Sequence, residues 1–181
     1  MNKTYTVYLD MDGVLVDFQK SYNNLPGGTR IKSNSAEQDV SKAREKYLTA
    51  GPKFWADMDW IHGGKELFQV AAAQFQSIKI LSSAGTTDIE KGKPVIEGKL
   101  QWLSRHLPSI SRDNIHIVYG SHRKAEYATP NAILVDDLSS TIKAWNDKNG
   151  IGILHDAKYY KKSIDALEKL AKPIKLSELV S

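Results

Sequence analysis

The stretch Val7-Tyr8-Leu9-Asp10-Met11-Asp12-Gly13-Val14-Leu15-Val16-Asp17 decides the reading of this chain. An apolar strand runs directly into two carboxylates one residue apart, followed by a glycine. Carboxylates at a strand end stand at the rim of a sheet, where open α/β folds place their chemistry. Two so close together repel unless they share a proton or a cation lies between them. A hard divalent cation resolves the conflict, and Mg2+ takes one or two carboxylates together with phosphate oxygens. A strand followed by an acidic turn would use the same residues, so the rest of the chain has to decide.

Working outward, short apolar segments rich in β-branched residues recur at Tyr5–Leu9, Ile78–Leu81, Ile115–Tyr119, Ala132–Val135 and Ile151–Leu154. Helical periodicity fills most of the intervals: Gly98–Leu107, Ser139–Lys148 and Tyr159–Ala171. Strands alternating with helices predict an α/β fold, a doubly wound, Rossmann-like parallel sheet of five strands. One interval breaks the rhythm. Asp17–Asn23 reads as a short helix and Asn24–Asn34 as a loop, and Ser35 with Gln38 is a capping-box pattern for a helix running to about Thr49. Gly51-Pro52 ends that helix, Phe54–Trp60 is aromatic-rich, and Lys65–Gln76 is helical. This predicts a core of residues 1–16 and 77–181 and a small helical cap of residues 17–76 inserted after the first strand. Caps exclude water and select substrates.

Composition narrows the class. The chain has 181 residues, enough for one domain with a modest insertion. No apolar run approaches the roughly 18 residues of a membrane span. Met-Asn-Lys-Thr leads straight into a strand without a signal-peptide core, so a cytoplasmic location is expected. The absence of cysteine excludes disulfides and thiolate ligands. A net charge of +4 helps attract anionic substrates. It is not a nucleic-acid signature, because the lysines are dispersed.

Three further segments carry chemistry. Ile78-Lys79-Ile80-Leu81-Ser82-Ser83-Ala84-Gly85 is a strand running into two hydroxyls, and a hydroxyl with free backbone N–H groups suits a phosphate oxygen. Ala132-Ile133-Leu134-Val135-Asp136-Asp137 is a second buried strand ending in paired carboxylates. Capping of the following helix accounts for one of those two, not easily for both. Gly120-Ser121-His122-Arg123-Lys124-Ala125 offers a cation ahead of that pair, from Lys124 or Arg123. A lysine there stabilises phosphate oxygens and keeps a nucleophilic carboxylate ionised.

Together these segments resemble the four motifs of the haloacid-dehalogenase-like (HAD) superfamily, most of whose members are phosphohydrolases. The resemblance implies Asp10 as nucleophile, Asp12 as general acid/base and Lys124 as the catalytic lysine. It implies phosphate contacts from Ser82, Ser83, Gly13 and Lys124. A Mg2+ cofactor would be held by Asp10, Asp12 and Asp136, with Asp137 behind them or joined through water. Presence of Asp12 favours the phosphatases over the dehalogenases.

Within the superfamily the chain looks most like the 5'(3')-deoxyribonucleotidases. Asp10-Met11-Asp12-Gly13-Val14-Leu15-Val16-Asp17-Phe18 carries the likeness, with Phe54-Trp55 and Trp60 in the cap and Ile142–Asn146 and Gly150–His155 near the end. The function implied is Mg2+-dependent hydrolysis of a small (deoxy)nucleoside monophosphate through an aspartyl-phosphate. Base–aromatic stacking is worth about 1–3 kcal/mol per base, and Phe18, Phe54, Trp55 and Trp60 are the candidates, against the alternative that they only fill the cap. Ala84 departs from the proline usual after the hydroxyls, and Lys124 lies farther ahead of Asp136 than the pattern expects. Other readings are a phosphatase for another small ester or a polynucleotide 3'-phosphate end, with Arg30, Lys32, Lys42, Arg44 and Lys46 lining a groove, or a non-catalytic nucleotide or Mg2+ module. Neither a membrane nor nucleic acid is expected as a partner, and a homodimer is left open.

Overall fold

The computed structural model describes residues 4–28 and 37–172. Five strands form one sheet: β1 (Thr6–Leu9), β2 (Ser77–Ser83), β3 (Ile115–Val118), β4 (Ala132–Asp136) and β5 (Ile151–Leu154). All neighbours are parallel, and the order is β3-β2-β1-β4-β5. The five segments expected from sequence are these five strands, within two residues at each end. β4 is buried along its whole length. Helices cover both faces, so its sequence is continuously apolar and not alternating.

Among the described residues, seven α-helices accompany the sheet: α1 (Phe18–Asn23), α2 (Glu37–Leu48), α3 (Pro52–Ala56), α4 (Gly64–Gln74), α5 (Ile89–His106), α6 (Ser139–Asn146) and α7 (Lys161–Ala171). One face of the sheet packs Val7, Leu9, Ile78, Ile80, Ile133 and Val135 into a cluster with Leu67, Ala71, Trp102 and Leu167. The other face packs Tyr8, Leu134 and Ala132 on Ile142 and Trp145 of α6. The larger cluster continues without a break into Leu48, Trp55 and Met58 of the inserted segment.

Two differences from the sequence reading have physical causes. α5 begins at Ile89, well before Gly98, because the Asp88 side chain caps it by accepting from Lys91 N at 3.1 Å. The helix carries Pro94 in its second turn, and that proline hid the start. The cap expected over residues 17–76 includes α4, yet α4 packs on α7 and β2. Two adjacent parallel strands need a crossover, and α4 supplies it between β1 and β2. The segments standing over the sheet rim are therefore α1, α2 and α3. The Ser35 capping position, the Gln38 side chain, Arg30 and Lys32 lie outside the described residues.

Candidate active site

Strand register sets the site. Leu9 pairs with Val135 across β1 and β4, so Asp10 and Asp136 leave the sheet side by side. Asp10 N donates to Val135 O at 3.1 Å, which anchors the turn to β4. Asp10 Oδ1 accepts from Met11 N at 2.7 Å, and Asp136 Oδ1 accepts from Leu138 N at 2.9 Å. Lys124, on the 3-10 turn Ser121–Tyr127, reaches both of their other oxygens, at 2.9 Å from Asp10 Oδ2 and 2.7 Å from Asp136 Oδ2. Burial alone would depress the Lys124 ammonium, but Asp10 and Asp136 more than reverse this and hold it above the ordinary lysine value. Arg123, the alternative cation, points elsewhere and pairs with Glu126 at 3.0 Å.

Asp10, Asp136 and Asp137 each offer an oxygen within 4.8 Å of the others. This trio differs in one member from the ligand set inferred from sequence. Asp137 belongs to it, whereas the Asp12 carboxylate turns aside to Lys99, with Oδ2 and Nζ 2.6 Å apart. Gly13 makes the arrangement possible. It has φ +74°, and a Cβ there would lie 2.3 Å from Asp137 Oδ2. Its role in this structure is to let the turn close on Asp137.

The carboxylates are under electrostatic stress. Burial first, then the Asp10 charge, push Asp136 up to about 6 against the opposing pull of Lys124. Burial and the charges of Asp10, Asp136 and Asp12 push Asp137, which is open on its cavity side, up to about 8. Asp12 is raised by burial, with Lys99 opposing. Four carboxylates and two ammonium groups leave two formal negative charges. Together with a hard oxygen donor set, that residue of charge fits a divalent cation such as Mg2+.

A cavity of about 310 Å³ opens onto these groups. Asp10, Asp12, Ser83, Lys124 and Asp137 form its floor, and Phe18, Arg44, Tyr47 and Trp55 from α1, α2 and α3 form its roof. The two serines divide by strand alternation. Ser83 faces the cavity, while Ser82 is fully buried and its Oγ accepts from Lys99 Nζ at 2.9 Å. The four cap aromatics divide as well. Phe18 and Trp55 line the cavity, stacked on one another at 5.7 Å. Phe54 packs edge-on behind them, 5.1 Å from Trp55. Trp60 lies against Trp102 at 4.8 Å and is not part of the lining. Asp17 caps α1 by accepting from Lys20 N at 2.9 Å.

Sequence reasoning missed Lys99, Arg44 as a cavity residue, and Tyr47. Lys99 had a usable signal. Val95, Gly98, Lys99, Trp102 and Leu103 make one helical stripe buried on α5, and a lysine inside an apolar stripe is anomalous.

An Asp-rich rim on a doubly wound parallel sheet, with a buried lysine between the first- and fourth-strand aspartates and a helical roof, defines a HAD-superfamily hydrolase. Two solved structures share the fold: a HAD-superfamily hydrolase from Ehrlichia chaffeensis (TM-score 0.53, 11% identity, 95% of this chain and 100% of that one) and a hydrolase from Pseudomonas syringae (TM-score 0.50, 15% identity, 92% and 90%). The sequence profile of the family described as "5' nucleotidase, deoxy (Pyrimidine), cytosolic type C protein" matches residues 4–171, and the chain belongs to that family. It is a phosphoric monoester hydrolase. No curated protein sequence matches it.

Proposed function

We propose that the protein is a Mg2+-dependent 5'(3')-deoxyribonucleotidase acting in the cytoplasm on nucleoside monophosphates. The observation that carries this is the juxtaposition of Asp10, held between Lys124 and the backbone, with an aromatic roof across a cavity of about 310 Å³. That volume lies in the range of small-molecule sites. One phosphate ester and one flat apolar ring fill it, with the phosphate on the floor and the base against Phe18 and Trp55.

Asp10, Asp136 and Asp137 would hold Mg2+, which supplies charge neutralisation for the phosphoryl oxygens. An Asp10 carboxylate oxygen attacks phosphorus in line with the leaving oxygen. The O–P bond to Asp10 forms as the ester P–O bond breaks, and Asp12 gives its proton to the departing alkoxide. Water then attacks the aspartyl-phosphate, and Asp12 takes a proton from it. Inorganic phosphate leaves, and Asp10 returns as a carboxylate. Lys124 screens the Asp10 charge from the incoming phosphate and lies within reach of its oxygens. Ser83 offers a hydroxyl on the same floor.

A polynucleotide end would need an extended basic groove. Of the described basic residues proposed for one, Lys46 is engaged with the Gly27 carbonyl and only Arg44 lines the cavity. The test is phosphate release from deoxy- and ribonucleoside 5'- and 3'-monophosphates and from sugar phosphates, with Mg2+ and with EDTA. Metal-dependent preference for deoxynucleotides is expected. Preference for sugar phosphates would overturn the substrate and leave the chemistry standing.

A further inference from the structure

Lys99 is the buried cation of the site that this mechanism leaves without a task. Only 1% of it is exposed. Its ammonium has three protons and three acceptors: Asp12 Oδ2 at 2.6 Å, Ser82 Oγ at 2.9 Å and the Ser83 carbonyl at 2.9 Å. No donor is left over for a substrate phosphate, so whatever Lys99 does, it does through these partners. A lysine is a poor choice merely to fill a helix–sheet contact, because a buried ammonium gives up hydration that an apolar residue never had.

The packing around Lys99 brings it to Asp12 from beneath the roof. Gly98 lets α5 close on α3: a Cβ there would fall 2.2 Å from the Pro52 carbonyl oxygen and 2.6 Å from Trp55 Cβ. The next residue then carries its Nζ past the Trp55 ring, 5.1 Å from the centroid, to the carboxylate.

The two oxygens of Asp12 are consequently unequal. Oδ2 is held by the ammonium, whereas Oδ1 is buried with no hydrogen-bond partner among the described residues. The terminal torsion of an aspartate is broad, so an untethered carboxyl would present either oxygen or neither. We propose that Lys99 is a positioning residue for hydrolysis: it clamps Asp12 Oδ2 to the end of β2 and so fixes the orientation of the carboxyl that hands a proton to the leaving alkoxide and receives one from the attacking water. This rests on the phosphomonoesterase reading above.

Leaving-group dependence tests it. The constant kcat/KM reports events through formation of the aspartyl-phosphate. Nitrophenolate departs without a proton, whereas the alkoxide of a nucleotide needs one. Lys99→Met is expected to lower kcat/KM for a nucleoside 5'-monophosphate about 10²–10³-fold, the scale of general acid catalysis, and that for 4-nitrophenyl phosphate less than about 10-fold. Asp12→Asn should show the same selectivity, and adding Lys99→Met to it should cost no more than about a further 2-fold, since the two residues act as one unit. Lys99→Gln, which keeps a donor for Asp12, should show a smaller but still selective loss, and it decides the matter if Lys99→Met fails to fold. Equal losses on both substrates in a folded variant, or losses that multiply in the double variant, overturn the assignment and leave Lys99 as packing. A parent enzyme that releases no phosphate from either substrate with Mg2+ overturns the phosphomonoesterase reading itself, and the Lys99 assignment with it.

Discussion

The floor and the roof of the cavity are built on opposite principles. On the floor, charged side chains sit at the ends of parallel strands, and register fixes each one to its neighbour: Asp10 beside Asp136, with Lys124 between them. In the roof, the side chains hold one another. Phe18 contacts Tyr22, Tyr47, Phe54 and Trp55, with ring centroids 5.3–6.2 Å apart. Changing a floor residue should therefore remove chemistry while the fold survives. Changing a roof residue should change which leaving group is accepted, or only how well the cap packs, according to whether its ring borders the cavity.

The largest expected effect is on the floor. Asp10→Asn should lower Mg2+-dependent phosphate release by at least about 10⁴-fold, with the thermal unfolding midpoint close to that of the parent. Near-parental activity would remove Asp10 from the nucleophile role and the floor from its place in the comparison. Gly13→Ala should act on the same floor through the backbone. Its φ of +74° and the 2.3 Å approach to Asp137 leave no room for a methyl group, so a stability loss of about 1 kcal/mol or more is expected, together with weaker Mg2+ binding by titration calorimetry.

Roof substitutions should be smaller and should separate two tryptophans. Trp55 borders the cavity and is also buried in the core, so Trp55→Ala should cost about 3 kcal/mol or more of stability and, in the protein that folds, raise KM for a nucleotide about 5- to 150-fold relative to phenyl phosphate, the equivalent of about 1–3 kcal/mol of stacking. Trp60 lies on Trp102 and His106. Trp60→Ala should cost up to about 3 kcal/mol of stability and leave the ratio of the two substrates alone. Identical behaviour of the two variants would erase the distinction between rings that face the ligand and rings that fill the cap.

The subtlest prediction concerns protons. Asp136 and Asp137 are raised to about 6 and about 8, so the folded state holds their protons more tightly than the unfolded chain does. Their contribution to stability is full below the unfolded value of about 4 and lost as pH rises through the folded values. In EDTA the unfolding midpoint should fall between about pH 4 and about pH 8 from this source. Mg2+ takes the place of the protons, so the stabilisation it gives should grow across the same window. A Mg2+ effect independent of pH would place the cation elsewhere.

The floor was largely readable in the sequence because its signal is local. An apolar run ending in Asp-Met-Asp-Gly or in Asp-Asp states both the strand and what the strand presents. Lys124 was also readable, since it follows a strand. Lys99 was readable only as an anomalous lysine in an apolar helical stripe; its role was not, because its partners lie 87 and 17 residues away in the chain and its position on α5 depends on Gly98 admitting α3. Ser82 and Ser83 could be named as a pair but not separated, because the phase of β2 relative to the cavity is set by the sheet and not by the dipeptide. In the roof, composition alone showed that aromatics were present. Their division into Phe18 and Trp55 against Phe54 and Trp60 follows from packing directions that the sequence does not carry. The same holds for α4, whose helical pattern was clear but whose attachment to α7 was not.

The central claim is that Asp10 is the group that accepts the phosphoryl moiety. The most direct measurement is acid quenching during turnover of a nucleoside monophosphate with Mg2+, followed by peptide mass analysis. A gain of one phosphoryl group on the peptide containing Asp10, absent from the Asp10→Asn variant and from reactions in EDTA, is predicted. Steady turnover with no phosphoryl group on Asp10, or with one on another residue, would contradict the account.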